Sequence, residues 1–175
     1  MKYLVVLLLA VLVLPSCDAT KTKPGTESTA STLLKVKRCE FKMGEDLFLT
    51  PIDSAAMDPE GYYYISSHKS DNVMQVFLFT DSIDANQKVE DQKAALNTPS
   101  IFTAKSIEKF EKWGNYTGKG IHMKGNYNGG IIKGKIDVFA AAQGSKGFLI
   151  IRQTVTNDDN DIAQFDQLER SFKLY

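Results

Sequence analysis

An Asn-Gly pair between two alternating hydrophobic segments is the feature that most constrains the fold of this chain. In segments 121–127 and 132–140 every second residue is apolar or glycine, which is the period of a β-strand with one buried face. The intervening Asn128-Gly129 favours a tight hairpin turn, because these residues adopt positive φ at low cost. The sequence therefore predicts an antiparallel hairpin whose apolar side chains share one face.

Two registers of this hairpin are compatible with the hydrophobic pattern. A two-residue loop at Asn128-Gly129 pairs Met123 with Gly134. A turn one residue later, at Gly129-Gly130, shifts the pairing but keeps the apolar residues on the same face. Burial of that face excludes a slip that would turn it toward solvent.

A third strand and a closing amphipathic helix are predicted to complete this half of the chain. Segment 147–156 is strand-like, and its run Phe148–Ile151 is apolar on both faces, which indicates a central strand. Beyond it, Asp161 and Gln164 fit a capping box at the start of a helix. Apolar residues follow at helical spacing: Ile162, Phe165, Leu168 and Phe172. We expect this helix to cover the apolar face of the hairpin.

The first half of the chain predicts further strands and a second helix. Segments 61–66 and 72–80 are rich in aromatic and β-branched residues and read as a hairpin around the polar turn 68–71. The remaining predicted elements are short strands at 33–43 and 46–49, a helix at 84–96 ended by Asn97, and a segment at 105–113 for which a helix is favoured over a strand.

The C-terminal residues suggest a family. The sequence Phe165-Asp-Gln-Leu168 followed by Ser171-Phe172 resembles the ending of PsbP-like domains, in which a helix closes an α/β sandwich. The resemblance covers residues 60–173. It implies an α+β fold, with an antiparallel sheet and its C-terminal meander packed against helices. It also implies a binding or assembly role, since this family of photosystem accessory proteins and bacterial lipoproteins has no shared catalytic motif.

The N-terminal residues predict export and a lipid anchor. Residues 1–16 combine Lys2 with an apolar run that is shorter than the ~20 residues of a membrane-spanning helix, as in a signal peptide. They lead into Leu14-Pro15-Ser16-Cys17, which resembles a bacterial lipobox. Cys17 is therefore predicted to carry acyl chains such as palmitate and to anchor a lipoprotein in a cell-envelope membrane; the alternative is an ordinary secreted protein cleaved after Ser16. We expect residues 17–32 to form a flexible tether and residues 33–175 a single α+β domain.

Composition and motifs argue against several classes of function. A formal net charge of zero gives no excess of positive charge of the kind expected in a domain that binds nucleic acid. The two histidines, His68 and His122, lack the spacing of a zinc site, and no cofactor or metal is expected. No nucleophile motif is present, and the acidic run 158–161 does not fit a calcium loop. Gly118-Lys-Gly120 is better explained as a turn into a strand than as a phosphate loop, and Cys39 as a small packed residue.

A basic cluster on the polar face of the hairpin is the main candidate binding site. It consists of His122, Lys124, Lys133 and Lys135, with Asp137 at its edge. In the tighter register Lys124 lies opposite Lys133, and directly opposed like charges are unfavourable. The cluster is predicted to hold an anionic ligand, a lipid headgroup or an envelope protein; the alternative is a solvated sheet face. Trp113 and Tyr116 are a second candidate, an exposed aromatic contact, although such residues also occur in cores.

These observations favour a lipid-anchored, non-enzymatic envelope protein that serves as a binding or assembly module. The alternative is a carrier that holds a small apolar ligand between sheet and helix. A carrier predicts a cavity lined by Ile121, Ile136 and Phe165, whereas a binding module predicts a filled core with an exposed apolar or basic patch. An enzyme is the third hypothesis and would require convergent titratable groups in a cleft.

Overall fold

A computed structural model of the chain describes residues 31–52 and 61–175. The described strands are β1 (Ser31–Val36), β2 (Cys39–Gly44), β3 (Leu47–Ile52), β4 (Gly61–Ser67), β5 (Val73–Phe79), β6 (Phe102–Trp113), β7 (Tyr116–Tyr127), β8 (Ile132–Gln143), β9 (Lys146–Thr154) and β10 (Lys173–Leu174). The described helices are α1 (Ala85–Leu96) and α2 (Asp159–Ser171), with a 3-10 turn at Asn128–Gly130. The predicted α+β class with a predominantly antiparallel sheet is confirmed.

The strands form one large and one small antiparallel sheet. The large sheet has the order β3-β4-β5-β9-β8-β7-β6, so β6 to β9 are a consecutive meander. The predicted hairpin of β4 and β5 is present, and β9 is central, as the apolar run Phe148–Ile151 predicted. The small sheet has the order β1-β2-β10. Segment 33–43 is thus not one strand at the start of the large sheet but two strands of a separate sheet.

The β7–β8 hairpin adopts the later of the two predicted registers. Tyr127 pairs with Ile132 and Met123 pairs with Ile136, so the tighter pairing is wrong. The turn contains three successive positive φ values, 48° at Asn128, 68° at Gly129 and 104° at Gly130. The loop is braced from outside the hairpin, since the Asn128 and Gly129 amides donate to carbonyls of Ile101 and Pro99.

Each helix covers a different face of the large sheet. The hairpin's apolar face packs on α1, where Val89 and Leu96 meet the buried residues Ile121, Met123, Ile136 and Val138. The opposite face packs on α2 and the small sheet, through Phe165, Leu168 and Phe172, all at most 1% exposed. The predicted residues Phe165, Leu168 and Phe172 are therefore buried, but against the face of the sheet opposite to the one we expected, and Ile162 is only partly buried.

Segment 105–113 is a strand, so the predicted helix there is wrong. It belongs to β6, an edge strand of the large sheet, and its pairing with β7 is interrupted by bulges between Ala104 and Ser106 and between Phe110 and Lys112. A bulge inserts an extra residue and breaks the period of two. Phe110 and Trp113 therefore reach the same core although they are three residues apart, which is the spacing that suggested a helix.

Two smaller predictions also need correction. Helix α2 is capped by Asp158, whose carboxylate accepts from the Asp161 amide; Asp161 itself lies in the first turn and accepts side-chain hydrogen bonds from Ser70 and Asn72. Gly118 and Gly120 lie inside β7 rather than in a turn. The ring of Phe110 covers Gly120 so closely that a Cβ there would lie 2.5 Å from Phe110 Cζ.

The helix predicted at 84–96 is confirmed, with Asp84 as its N-cap. The predicted signal peptide, the predicted lipidation site Cys17 and most of the predicted tether lie outside the described residues. Ser31 and Thr32, the last two residues assigned to the tether, belong to β1. Within 31–52 and 61–175, no helix is long and apolar enough to cross a membrane.

Candidate functional site

A groove opens where the large sheet extends beyond the cover of α2. It has a volume of about 580 Å³ and lies over the β7–β8 hairpin next to the first turn of α2. We call it the basic groove. Its charged lining residues are Lys105, Lys124, Lys133, Lys135 and Arg152. Its uncharged lining residues are Gly125, Asn126, Gly134, Thr154, Val155, Asn157 and Ile162.

Three cross-strand rows explain why this face changes from apolar to basic. Residues directly opposite each other on antiparallel strands point to the same side of the sheet. The row nearest the chain's aromatic core is Phe110, Gly120, Phe139 and Ile150; the next is Glu108, His122, Asp137 and Arg152; the third is Ser106, Lys124, Lys135 and Thr154. The basic groove thus lies on the same face of the sheet that α2 covers. Its lysines on β7 and β8 are two or more residues closer to the hairpin tip than His122 and Asp137.

The middle row forms the boundary between core and groove. His122 stacks on Phe110 with ring centroids 4.0 Å apart, and its Nδ1 lies 2.7 Å from Asp137 Oδ1. The other Asp137 oxygen, Oδ2, lies 2.8 Å from Lys135 Nζ. One half-buried carboxylate therefore fixes an imidazole and orients one groove lysine.

Arg152 joins the groove to helix α2. Its side chain is only 9% exposed, and Nη1 donates to Asp166 over 2.6 Å. Nη2 donates to the Ile162 carbonyl, and the guanidinium lies over the Phe165 ring, 5.4 Å from its centroid. Its buried Nε has no hydrogen-bond partner among the described residues. The guanidinium is therefore held at the groove wall, and its Nε–H is unpaired among the described residues.

The lysines of the groove are only partly neutralised. Lys124 Nζ lies 3.8 Å from Glu108 Oε1, and Lys135 is bound to Asp137. Lys105 and Lys133 are exposed and have no ion pair within the part of the chain that the structure describes. The observed register places Lys124 directly opposite Lys135 and Lys133 opposite Asn126, so the predicted pairing of Lys124 with Lys133 is wrong, although two lysines still face each other.

Burial shifts the pKa of two groups close to the groove. Burial raises the pKa of the Glu169 carboxyl, and a hydrogen bond from the Gly114 amide and the charge of Arg152 only partly offset it. Burial and the nearby charge of Asp137 raise the pKa of Tyr127, whose hydroxyl donates to the Lys135 carbonyl. Tyr127 is therefore a neutral hydrogen-bond donor that supports the backbone of a groove residue.

The structure brings together three of the four residues of the predicted basic cluster. Lys124, Lys133 and Lys135 line the groove, while His122 lies in the row behind them and does not line it. Sequence reasoning missed Lys105, which fell in the segment assigned to a helix, and Arg152. The signal for Arg152 was a single cation directly after the apolar run Phe148–Ile151 of a predicted strand.

The predicted exposed aromatic contact is not present at Trp113 and Tyr116. Trp113 is 4% exposed and packs against Phe139 and Phe172 in the core. Tyr116 is half-buried, and its hydroxyl accepts a hydrogen bond from the Leu174 amide. Both residues connect the large sheet to the C-terminal segment, so they are structural.

Other polar groups form structural contacts. Asp46 accepts from Lys69, Asn160 and Gln164, which ties the β2–β3 turn to the start of α2. Cys39 is fully buried, and burial raises its pKa to about 12. Within the described ranges, no three His, Cys, Asp or Glu side chains are grouped so that they could hold a metal ion.

Comparisons with known proteins find structural but not sequence similarity. No family model matches the chain, and no curated protein matches it. The fold is similar to a cyanobacterial PsbP, CyanoP from Synechocystis, with a TM-score of 0.49 and 11% identity over 89% of this chain and 98% of that one.

Two further solved structures are similar to the chain. LpqN, involved in cell envelope biogenesis of Mycobacterium tuberculosis, has a TM-score of 0.47 and 12% identity over 85% of this chain and 86% of that one. A protein from Bacteroides thetaiotaomicron has a TM-score of 0.45 and 9% identity; the match covers 78% of this chain and 45% of that one. A PsbP is thus among the solved structures that are similar to the chain.

Proposed function

We propose that this chain is a lipid-anchored, non-enzymatic protein of the cell envelope whose basic groove binds an anionic group of another molecule. The observation that carries the proposal is the composition of the groove. Five of its lining side chains are cationic and none is acidic, although the whole chain has a formal net charge of zero. The positive charge is thus concentrated in one concave site.

The arrangement of the lysines supports a binding role over a merely solvated sheet face. Lys124 and Lys135 are directly opposed, which reduces stability unless a bound anion relieves the repulsion. A concave site with apolar walls also focuses the potential of its charges and raises the local concentration of anions. Lys105 and Lys133 have no ion pair among the described residues, so both are available to a ligand.

The proposed location depends on the N-terminal sequence. The lipobox-like residues 14–17 would place acyl chains on Cys17, and residues 18–30 would connect the anchor to β1. A domain tethered in this way works next to a membrane. Its anionic ligand would then be a component of the envelope.

The groove offers a binding site but no catalytic set. Its polar side chains other than the five cations belong to asparagine and threonine, so no carboxylate, histidine or cysteine is positioned in it as a base or nucleophile. We therefore assign it recognition and not chemistry.

A carrier for a small apolar ligand is less well supported. Ile121 and Ile136 lie in the core under α1, whereas Phe165 lies in the core on the other side of the sheet. All three are at most 2% exposed, so the cavity that a carrier would need between them is filled.

A titration with glycerol 1-phosphate, followed by amide chemical shifts, tests the proposal. We expect shifts at the groove amides, including those of Lys124, Asn126 and Lys133. The double variant Lys133→Ser/Lys135→Ser should lose most of this response. A charge-matched control, Lys112→Ser/Lys119→Ser, removes two exposed lysines at the opposite end of β6 and β7 and should retain it. Equal responses of the two double variants would contradict the proposal.

A further inference from the structure

The hairpin tip beside the basic groove carries exposed isoleucines. Ile131 is 85% exposed and is the most exposed large apolar side chain of the described residues; Ile132, next to it, is 39% exposed. Lys133, one of the groove lysines, follows directly in the sequence. Ile131 is thus an exposed apolar side chain at the tip of the hairpin whose lysines line the groove, whereas Ile132 belongs to the alternate residues on the α1 face.

The tip is held in place and does not fold back on the sheet. The Asn128 amide donates to the Ile101 carbonyl over 3.3 Å, and the Gly129 amide donates to the Pro99 carbonyl over 3.1 Å. The Asn126 side chain adds a bond of 3.2 Å to the Gly130 carbonyl. The left-handed φ of 68° at Gly129 turns the chain so that Ile131 follows the bend. The exposure of Ile131 is therefore fixed by the turn and its braces.

We propose that this tip inserts into the surface of an anionic lipid bilayer while the groove lysines bind the headgroups around it. The inference rests on the proposed function, because it names the source of the anionic group. Membrane-surface contacts combine apolar side chains at the headgroup boundary with lysines that attract anionic lipids. The tip and the groove supply both parts within one hairpin.

The size of the apolar patch favours a bilayer over a protein partner. A stable protein interface buries on the order of 800 Å² on each partner, far more than two isoleucine side chains provide. A bilayer requires no such area, because each inserted side chain and each adjacent lysine contributes separately to the free energy of membrane binding. The predicted lipid at Cys17 would keep the domain near a membrane, and the tip would then orient the groove toward it.

The test places a fluorophore at the tip. The full chain with Cys17→Ser and Ile131→Cys is labelled with an environment-sensitive dye and reconstituted into vesicles of phosphatidylcholine, alone or mixed with phosphatidylglycerol. Cys39 is buried and its thiol remains protonated, so the dye reports on position 131. The control places the dye at Ser145→Cys, in the exposed β8–β9 turn at the other end of β8.

We expect a blue shift of the dye at position 131 in the phosphatidylglycerol vesicles and none at position 145. Adding Lys105→Ser and Lys133→Ser should lower the ratio of inserted to free tip about fivefold per lysine, and added salt should lower it further. A blue shift of equal size in phosphatidylcholine alone, or one that appears without vesicles as the protein concentration rises, would overturn the inference.

The glycerol 1-phosphate titration separates this inference from the proposed function. If the groove amides respond to glycerol 1-phosphate but the dye at position 131 stays in water, the groove binds anions and the bilayer contact is wrong. If neither responds, both proposals are wrong.

Discussion

Lys124 and Lys135 lie directly opposite each other on β7 and β8, and both line the same groove. Each is partly balanced at its side, Lys124 by Glu108 at 3.8 Å and Lys135 by Asp137 at 2.8 Å. No acidic residue is among those that line the space between them. The two ammonium groups therefore repel each other, and an anion bound in the groove would reduce this repulsion.

Removing one member of this pair should not destabilise the fold. We expect Lys124→Ser to leave the free energy of unfolding unchanged or to raise it by about 0.2–1 kcal/mol, since opposed like charges in a sheet cost about this much. Urea unfolding measures the change. Lys119→Ser, which removes an exposed lysine of the same strand that pairs with Glu111, is the control and should change stability by less than about 0.5 kcal/mol. A loss of more than about 1 kcal/mol in Lys124→Ser would contradict the proposed repulsion.

Asp137 should be the polar residue of the site that matters most for stability. Asp137→Asn removes the charge that holds both His122 and Lys135, so we expect a loss of about 1–2 kcal/mol by urea unfolding. The same change should strengthen binding of glycerol 1-phosphate, because Lys135 is no longer neutralised. Weaker binding by this variant would argue that Asp137 positions the lysine for the ligand.

The aromatic cluster around Phe172 should dominate the stability of the C-terminal half. Phe172 is fully buried and contacts the rings of Phe41, Trp113 and Phe148, so it joins the small sheet, the large sheet and the end of α2. We expect Phe172→Ala to cost about 3–5 kcal/mol. Ile131→Ala at the exposed tip is the control and should change the free energy of unfolding by less than about 0.5 kcal/mol.

Asp46 should contribute to the acid sensitivity of the fold. A hydrogen bond from Lys69 is the main cause that lowers the pKa of the Asp46 carboxyl, and bonds from Gln164 and Asn160 add to it. The folded pKa lies below the unfolded value of about 3.9, so this stabilisation is complete above that value and is lost as the pH falls through the folded pKa. We therefore expect wild type to lose more stability than Asp46→Asn between about pH 6 and pH 3.

The variant Asp81→Asn, which changes an exposed aspartate, provides the control for that comparison. The free energy of unfolding of Asp81→Asn should change with pH as that of wild type does. If the free energy of unfolding of Asp46→Asn also changes in this way, the Asp46 contacts do not favour the charged carboxyl.

Substitution of each of the two cysteines tests the predicted lipid anchor. We expect wild type to incorporate an alkyne analogue of palmitate in a bacterial host and Cys17→Ser to lose the label. Cys39→Ser should remain labelled, because Cys39 is buried in the core and burial raises its pKa to about 12. Retention of the label by Cys17→Ser would rule out lipidation at that residue.

The parts of the fold that the sequence predicted are those set by local patterns. The period of two in β7 and β8 predicted which face of the hairpin is buried, and the apolar run Phe148–Ile151 predicted a central strand. The register was left open because the turn at Asn128 is fixed by bonds to Ile101 and Pro99, which belong to another part of the fold. The helix expected at 105–113 was wrong because bulges at the edge of the sheet imitate helical spacing.

The candidate site was also predicted only where its residues belong to one local pattern. Lys124, Lys133 and Lys135 were predicted together because they share one hairpin and one face. Lys105 and Arg152 join them only because β6 lies beside β7 and β9 lies beside β8, and strand order does not follow from local periodicity. The same limit explains why the closing helix was assigned to the wrong face of the sheet.

The affinity of the groove for glycerol 1-phosphate tests the central claim most directly. Isothermal titration of wild type should give binding that weakens as salt is added, as expected for a site built on lysines. It should be lost or weakened at least tenfold in Lys133→Ser/Lys135→Ser, since a hydrogen bond to a charged group contributes about 1.5–3 kcal/mol. Binding that is insensitive to salt, or equally strong in that double variant, would contradict the assignment of the groove.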